Sequence, residues 1–557
     1  MNTRLRCGVL MSVAIVAMAL APMAWAERGT TPQTIAGLGT VTFPTSAESD
    51  AAQTAFARGL LLLHLFEYPD ADAAFQQAEK LDPGFAMAYW GEAMTYNHPV
   101  WNELDLAAGR ATLRKLGTTE AAREARAPSA REEAYLATVN ILYFGAGDKR
   151  QRDTRYCDAM RRLAAAYPHD NNVQLFYALA LLGRGEGVRD VPTYLRAAAI
   201  ARHIFKLNPQ NPGAAHYWIH GMDDPQHAAG ALVAARALSK IAPDAGHAQH
   251  MTSHIFMALG MWDDVVTANE NATRVMYAHE KAAGKPQVRC FHYDEWLEYA
   301  YFQQGRQHDA ENLLQACRRT GTAALRGMDK KQAAMFRDQF QWSLMQMRAT
   351  AVVELHDWNG AAAQMRIDTS TLGGEAGWND FAIGYAAAER GDAALAKTSL
   401  AALDKLAATT QPPNPDDPQQ TGYLKILRDD LDGLLASKRS DDAHALDLVR
   451  AAAKRYDHMA FDFGPPAPVK PPHELLGELL LAAGKPAAAC TEFETALKKA
   501  PNRTQSLLGL ARAQAASHDT AAAAATYQRL VKIWHVADAG LPGLDEARRY
   551  LGRRSRG

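Results

Sequence analysis

Small and apolar residues recur along this chain at the intervals that two packed antiparallel helices need, and the alternation expected of strands is nearly missing. The segment from Ala55 to Pro83 carries Gly59, Ala71, Phe75, Ala78 and Pro83; the segment from His473 to Pro501 carries Leu476, Gly477, Ala489, Phe493, Ala496 and Pro501. From Gly through Ala, aromatic and Ala to Pro, the spacings are 12, 4, 3 and 5 in both. The small residues let paired helices approach, the aromatic fills the space between them, and proline stops the second helix. Pro209 and Pro243 end second helices 34 residues apart. Gly260-Met261-Trp262, Gly305-Arg306-Gln307, Gly391-Asp392 and Gly484-Lys485 mark turns inside units, and Leu507 to Leu530 continues the frame with Ala523 and Tyr527. Alanine-rich stretches such as Ala521 to Ala525 add helix propensity.

These residues and intervals resemble the tetratricopeptide repeat. The resemblance implies an all-α, right-handed superhelical solenoid of roughly nine to eleven helix–turn–helix units. The expected organisation is a leader over 1–26, an irregular segment over 27–48 and a main solenoid over 49–410 with an insertion at 102–130. A linker and helical segment over 411–463, a C-terminal repeat pair over 464–535 and a frayed tail over 536–557 complete it. The proline-rich breaks Gln411 to Pro415 and Gly464 to Pro468 are the expected boundaries, the second one setting the C-terminal pair apart.

Residues 1–26 read as an export signal: Arg4 and Arg6, an apolar run from Cys7 to Leu20, and the small-residue site Ala24-Trp25-Ala26. The run is short for a membrane span, and no later stretch is long and apolar enough for one. The expected product is periplasmic or secreted. Removing the leader takes two basic and no acidic residues, so the net charge goes from −1 to −3. Near neutrality argues against nucleic acid or an anionic membrane as the main partner. Cys157, Cys290, Cys317 and Cys490 remain, too few for a disulfide framework. Cys290 and Cys317 fall at helix ends that antiparallel packing brings together, which makes them a candidate disulfide.

The chemistry concentrates in histidines. His216 and His220, then His250 and His254, are two i, i+4 pairs separated by 34 residues, one repeat length. With the closing proline of a unit counted as place 32, each pair takes places 5 and 9, His247 and His292 take place 2, Glu295 place 5, and Asp223 and Met257 place 12. In tetratricopeptide repeats, the resemblance implies, places 2, 5, 9 and 12 line the concave groove. The expected groove therefore presents His216, His220, Asp223, His247, His250, His254, Met257, His292 and Glu295. First helices of neighbouring units lie about 8–10 Å apart, close enough for imidazoles to converge. The leading reading is an exported adaptor, not an enzyme, that binds a protein, peptide or small ligand on this wall. The alternative is a divalent transition metal, zinc, copper or iron, held by His216, His220, His250 and His254. Such a metal would be cargo, or would activate water or oxygen with Glu295 or Asp223 as base.

The stretches Gly213 to His220, Asp223-Asp224-Pro225 and His250 to Phe256, together with Ala86 to Gly91, resemble a group of exported bacterial tetratricopeptide-repeat proteins with a histidine-rich central repeat pair. Thr252 stands where that group usually has proline, and the resemblance carries no established activity. His64 and His98, also 34 apart, read as surface histidines near a turn, with a second contact patch as the alternative, and Trp101 and Trp262 read as covers over the core. Nucleotide loops, Cys-x-x-Cys, Gly-x-Ser-x-Gly and His-Glu-x-x-His are all missing.

Overall fold

A computed structural model describes residues 27–185, 188–411 and 419–554. The expected leader, and the prolines of the first break, lie outside the described residues. Within them, 26 α-helices take nearly all the regular structure, and four short 3-10 helices and four strands of two or three residues the rest, so the class is all-α. The helices stack as antiparallel pairs of the tetratricopeptide type into a superhelix. No helix among the described residues is long and apolar enough to cross a membrane.

The repeat logic is visible in the first unit. Ser49 caps the helix Asp50–His64 by accepting from the Ala52 amide, and the partner helix Tyr68–Leu81 has proline in its first turn. Phe75 lies fully buried between them and the next helix, Ala86–Met94. A Cβ on Gly59 would stand 2.8 Å from its ring, and one on Gly91 2.3 Å. At the other end, Phe493 is held in the same way between Gly477 and Gly509.

Three first helices build the inner wall at mid-chain: Pro212–Met222, Gly246–Ala258 and His292–Gln303. Asn211 caps the first by accepting from the Ala214 amide. Every residue of Gly246–Ala258 is buried, which a helix facing an open groove cannot be. This corrects the expectation of an open concave wall. Phe66, in a left-handed turn after the first helix, covers the wall from one side, with Trp101 beside it. A strap over 458–471 lies across the other side; Phe463 meets His254 at 5.4 Å between ring centroids. Gly464, at φ +105°, brings the strap against Trp296, where a Cβ would come within 2.8 Å of the indole.

Both ends of the chain depart from expectation. Residues 27–48 are not wholly irregular: Gln33–Ile35 and Gly39–Val41 pair as an antiparallel hairpin. The Thr40 amide donates to the Gln210 carbonyl, and Phe43 is fully buried against Phe56, Trp90 and Tyr135. The tail does not fray before residue 554, because Pro542–Arg554 forms a terminal helix that buries Leu544 and Ala547. Part of the insertion is helical too, at Leu106–Arg114 and Glu120–Glu124.

The break at Gly464 to Pro468 does not detach the C-terminal repeats, which return to the mid-chain units. Trp262 donates its indole N–H to the Asn502 carbonyl at 2.9 Å, and Asn502 Nδ2 donates to the Gly260 carbonyl at 3.0 Å. Gln303 accepts from the Thr504 amide, and the Asp538 amide donates to the Gly305 carbonyl. Arg503, fully buried, is paired with both Glu354 and Glu474. Cys290 and Cys317 are joined as a disulfide with Cα atoms 4.5 Å apart.

Candidate metal centre

The histidine-bearing helices place six imidazoles inside the protein. Their ligand atoms fall into two triads, His216–His220–His247 and His250–His254–His292, each with all three atoms within 4.8 Å of one another. This corrects the expected quartet: two i, i+4 pairs do not share one centre, and each instead recruits a place-2 histidine, His247 from the following unit for the first pair and His292 for the second. The triads adjoin, with ring centroids 5.8 Å apart for His220 and His254 and 6.0 Å for His247 and His250.

The outer nitrogens settle which atoms face inward. His216 donates from Nδ1 to the His64 carbonyl at 2.7 Å, so its Nε2 carries a bare lone pair. His254 donates from Nδ1 to Asp223 Oδ2 at 2.6 Å. His250 donates from Nδ1 to Asn269 Oδ1 at 2.7 Å, and Asn269 is fixed in that orientation because its Nδ2 donates to the Val265 carbonyl. The Nε2 atoms of His250 and His254 are left 3.2 Å apart, within hydrogen-bond distance of each other. Nε2 of His216, His220 and His247 is buried without any hydrogen-bond partner. A bare nitrogen in the interior is costly unless something accepts its lone pair.

Burial pushes five of these rings toward the neutral form. It holds His216 down to about 3 and His292 to about 3, and pushes His220, His247 and His250 well below the ordinary imidazole value, with neighbouring histidines adding to the depression in each. The walls are aromatic: Phe66 stands 4.4 Å from His216, and Trp296 stands 4.4 Å from His254 and 4.8 Å from His250. Glu67 accepts from the His247 amide at the edge of the first triad, and burial raises its carboxyl to about 7.

The remaining candidates separate. Asp223 is tied to His254, so it orients a ring rather than serving as a base. Met257 is buried beside Asp223 and His254 at a cavity of about 30 Å³. Glu295 lines a larger cavity of about 570 Å³ that His292 also reaches. His64 is no surface residue: it is fully buried, its ring bonds the Tyr217 hydroxyl at 2.9 Å, and its carbonyl holds His216. His98 bonds Glu103 near the surface. Sequence spacing found the histidines; it missed Asn269, Phe66 and the His64 carbonyl, which reach the site from other elements and carry no local signal.

Comparison with protein-family models gives no match, and comparison with curated proteins gives none either. Among solved structures, the chain is similar to the APC/C hetero-tetramer Cut9–Hcn1 (12% identity, 91% of this chain and 77% of that one, TM-score 0.33). It is also similar to human IFIT1 as a dimer with m7Gppp-AAAA (15% identity, 85% and 95%, TM-score 0.35) and to yeast Tom70 (10% identity, 91% and 90%, TM-score 0.23).

Proposed function

We propose that this is an exported metalloprotein holding two transition-metal ions side by side, one on His216, His220 and His247 and the other on His250, His254 and His292. The observation that carries the reading is the set of buried Nε2 atoms on His216, His220 and His247, three rings of one triad, none of which has a hydrogen-bond partner. His216 has its Nδ1 proton committed on the far side, to the His64 carbonyl. In the second triad, Nε2 of His250 and Nε2 of His254 are 3.2 Å apart, close to the roughly 3.3 Å between two nitrogens bound to one tetrahedral zinc at about 2.05 Å. The backing hydrogen bonds to carboxylate, amide and carbonyl are the partners that metal-bound imidazoles use to fix their tautomer.

The donor set is nitrogen alone, with neither cysteine nor carboxylate within either triad, which suits zinc or copper. Three donors leave a further coordination position for water or a substrate group. A protein or peptide laid along the inner wall would have to displace Phe66 or the strap, so an ion or small molecule suits the interior better.

X-ray absorption on untagged protein reconstituted with zinc tests this. The expected first shell contains nitrogen and oxygen donors at about 2.0–2.1 Å with imidazole outer-shell features. A sulfur-containing shell, or failure to take up zinc and copper, would contradict it.

A further inference from the structure

The cavity of about 570 Å³ lies between the helix His292–Gln303, the long helix Lys330–Leu355, the helix Gly377–Glu389 and the strap. Its walls combine the indoles of Trp296, Trp342 and Trp378 with the carboxyls of Glu295, Glu298 and Glu375. Among the described residues, no lysine or arginine lines it. His292, from the second triad, marks the side where the cavity meets the histidine cluster.

Glu298 is the decisive residue. It is fully buried, and neither of its carboxyl oxygens has a hydrogen-bond partner. Its acidic neighbours are otherwise engaged: Asp294 is bonded to Tyr277 and Arg289, and Glu354 is paired with Arg503. An unpaired buried carboxyl costs stability unless a donor or a cation meets it. Burial, with the charges of Glu295, Asp294 and Glu354, drives its pKa well above the usual carboxylate range, so a cation has to draw it into its ionised form on binding.

The surroundings select the kind of partner. Indole faces attract cations through the ring quadrupole, and carboxylates supply the compensating charge. A metal ion needs several donor atoms converging on one point, and these carboxyls do not form such a group among the described residues. The volume falls in the range of small-molecule sites, about 300–1,000 Å³, and the strap closes one side.

We infer that this cavity binds a small organic cation, a protonated amine or a quaternary ammonium, between the tryptophans and Glu298. The inference stands on the cavity and does not require metal in the triads. It goes beyond the proposed metal centre by giving the neighbouring space its own ligand class.

The test is a titration of the full-length, metal-free protein, followed by tryptophan fluorescence and calorimetry. The probes are tetramethylammonium, choline, putrescine and agmatine, with 3,3-dimethylbutan-1-ol as the uncharged isostere of choline. At least one cation is expected to saturate below about 1 mM, a free energy within reach of one ion pair plus aromatic contacts. For choline, the neutral isostere is expected to bind at least about tenfold more weakly if choline is the probe that saturates. Glu298→Gln and Trp342→Leu should each weaken the bound cation at least about tenfold while the protein keeps its helical circular-dichroism signal. No saturable cation, an isostere as tight as its cation, or full affinity in folded Glu298→Gln protein would overturn the inference. Because metal is removed throughout, a negative result here leaves the X-ray absorption result on the triads standing, and the reverse also holds.

Discussion

Asp223 stands one hydrogen bond behind His254, and Asn269 one behind His250. If these contacts hold the rings for a metal, Asp223→Asn should leave the number of bound ions unchanged and lower affinity by about 10–100-fold. Competition with a chromophoric chelator measures this, and unchanged affinity would remove Asp223 from the centre. The imidazoles themselves were legible in the sequence, because i, i+4 spacing and a 34-residue period are local facts that survive into the fold. Their grouping was not. Which ring joins which triad depends on packing between first helices of successive units, and the backing groups come from as far as 152 residues away. His64 shows the same limit: its 34-residue match with His98 suggested a surface pair, whereas its actual partner is Tyr217.

At the scale of the element, one aromatic wedged between glycines repeats at both ends of the superhelix. Phe75 touches Gly59 and Gly91, and Phe493 touches Gly477 and Gly509. A methyl group at Gly91 or Gly509 would sit 2.3 Å from ring carbons, so the phenylalanine would have to move. Gly91→Ala and Gly509→Ala are each expected to cost about 1–3 kcal/mol through overpacking, read from denaturant midpoints. A neutral effect at both would mean the rings have room that the structure does not show. This element was readable because close helix approach demands small residues at fixed offsets. The N-terminal hairpin was not, since strands of three residues carry too little alternation to register, and Pro542–Arg554 was missed because its charged sequence hides two apolar anchors, Leu544 and Ala547.

The whole molecule closes on itself through Arg503, which joins Glu474 of the C-terminal repeats to Glu354 of the main body. Lys470 adds a buried contact to Glu474 at 3.0 Å. Removing the arginine would strand the buried carboxylate of Glu354 and leave Glu474 to Lys470 and Ser506, so Arg503→Met should cost about 3–5 kcal/mol. Denaturant unfolding followed by tryptophan fluorescence measures that loss, and a loss under about 1 kcal/mol would show that the closure is not held here. Burial alone would raise the Glu474 carboxyl, but Arg503 and Lys470 outweigh it and hold the group well below its ordinary 4.5. A depressed native pKa contributes stability that is fully present above the unfolded value and fades as pH falls toward the native one. Acidification from pH 7 to below 4.5 should therefore weaken the wild type more than Glu474→Gln, and equal acid sensitivity would count against the network. The proline-rich break suggested a detached block because proline content is a local signal, while the contacts that bind the block back span some 240 residues of sequence.

Lys470, at the end of the strap that lies over the histidines, ties that cover to the same closure through Glu474. The most direct measurement is elemental analysis of untagged protein, dialysed after exposure to zinc or copper, for the wild type and two double variants. Two ions per chain are expected for the wild type, and one each for His216→Ala/His220→Ala and for His250→Ala/His254→Ala. A wild-type content near zero, or one that both folded variants retain in full, would contradict it.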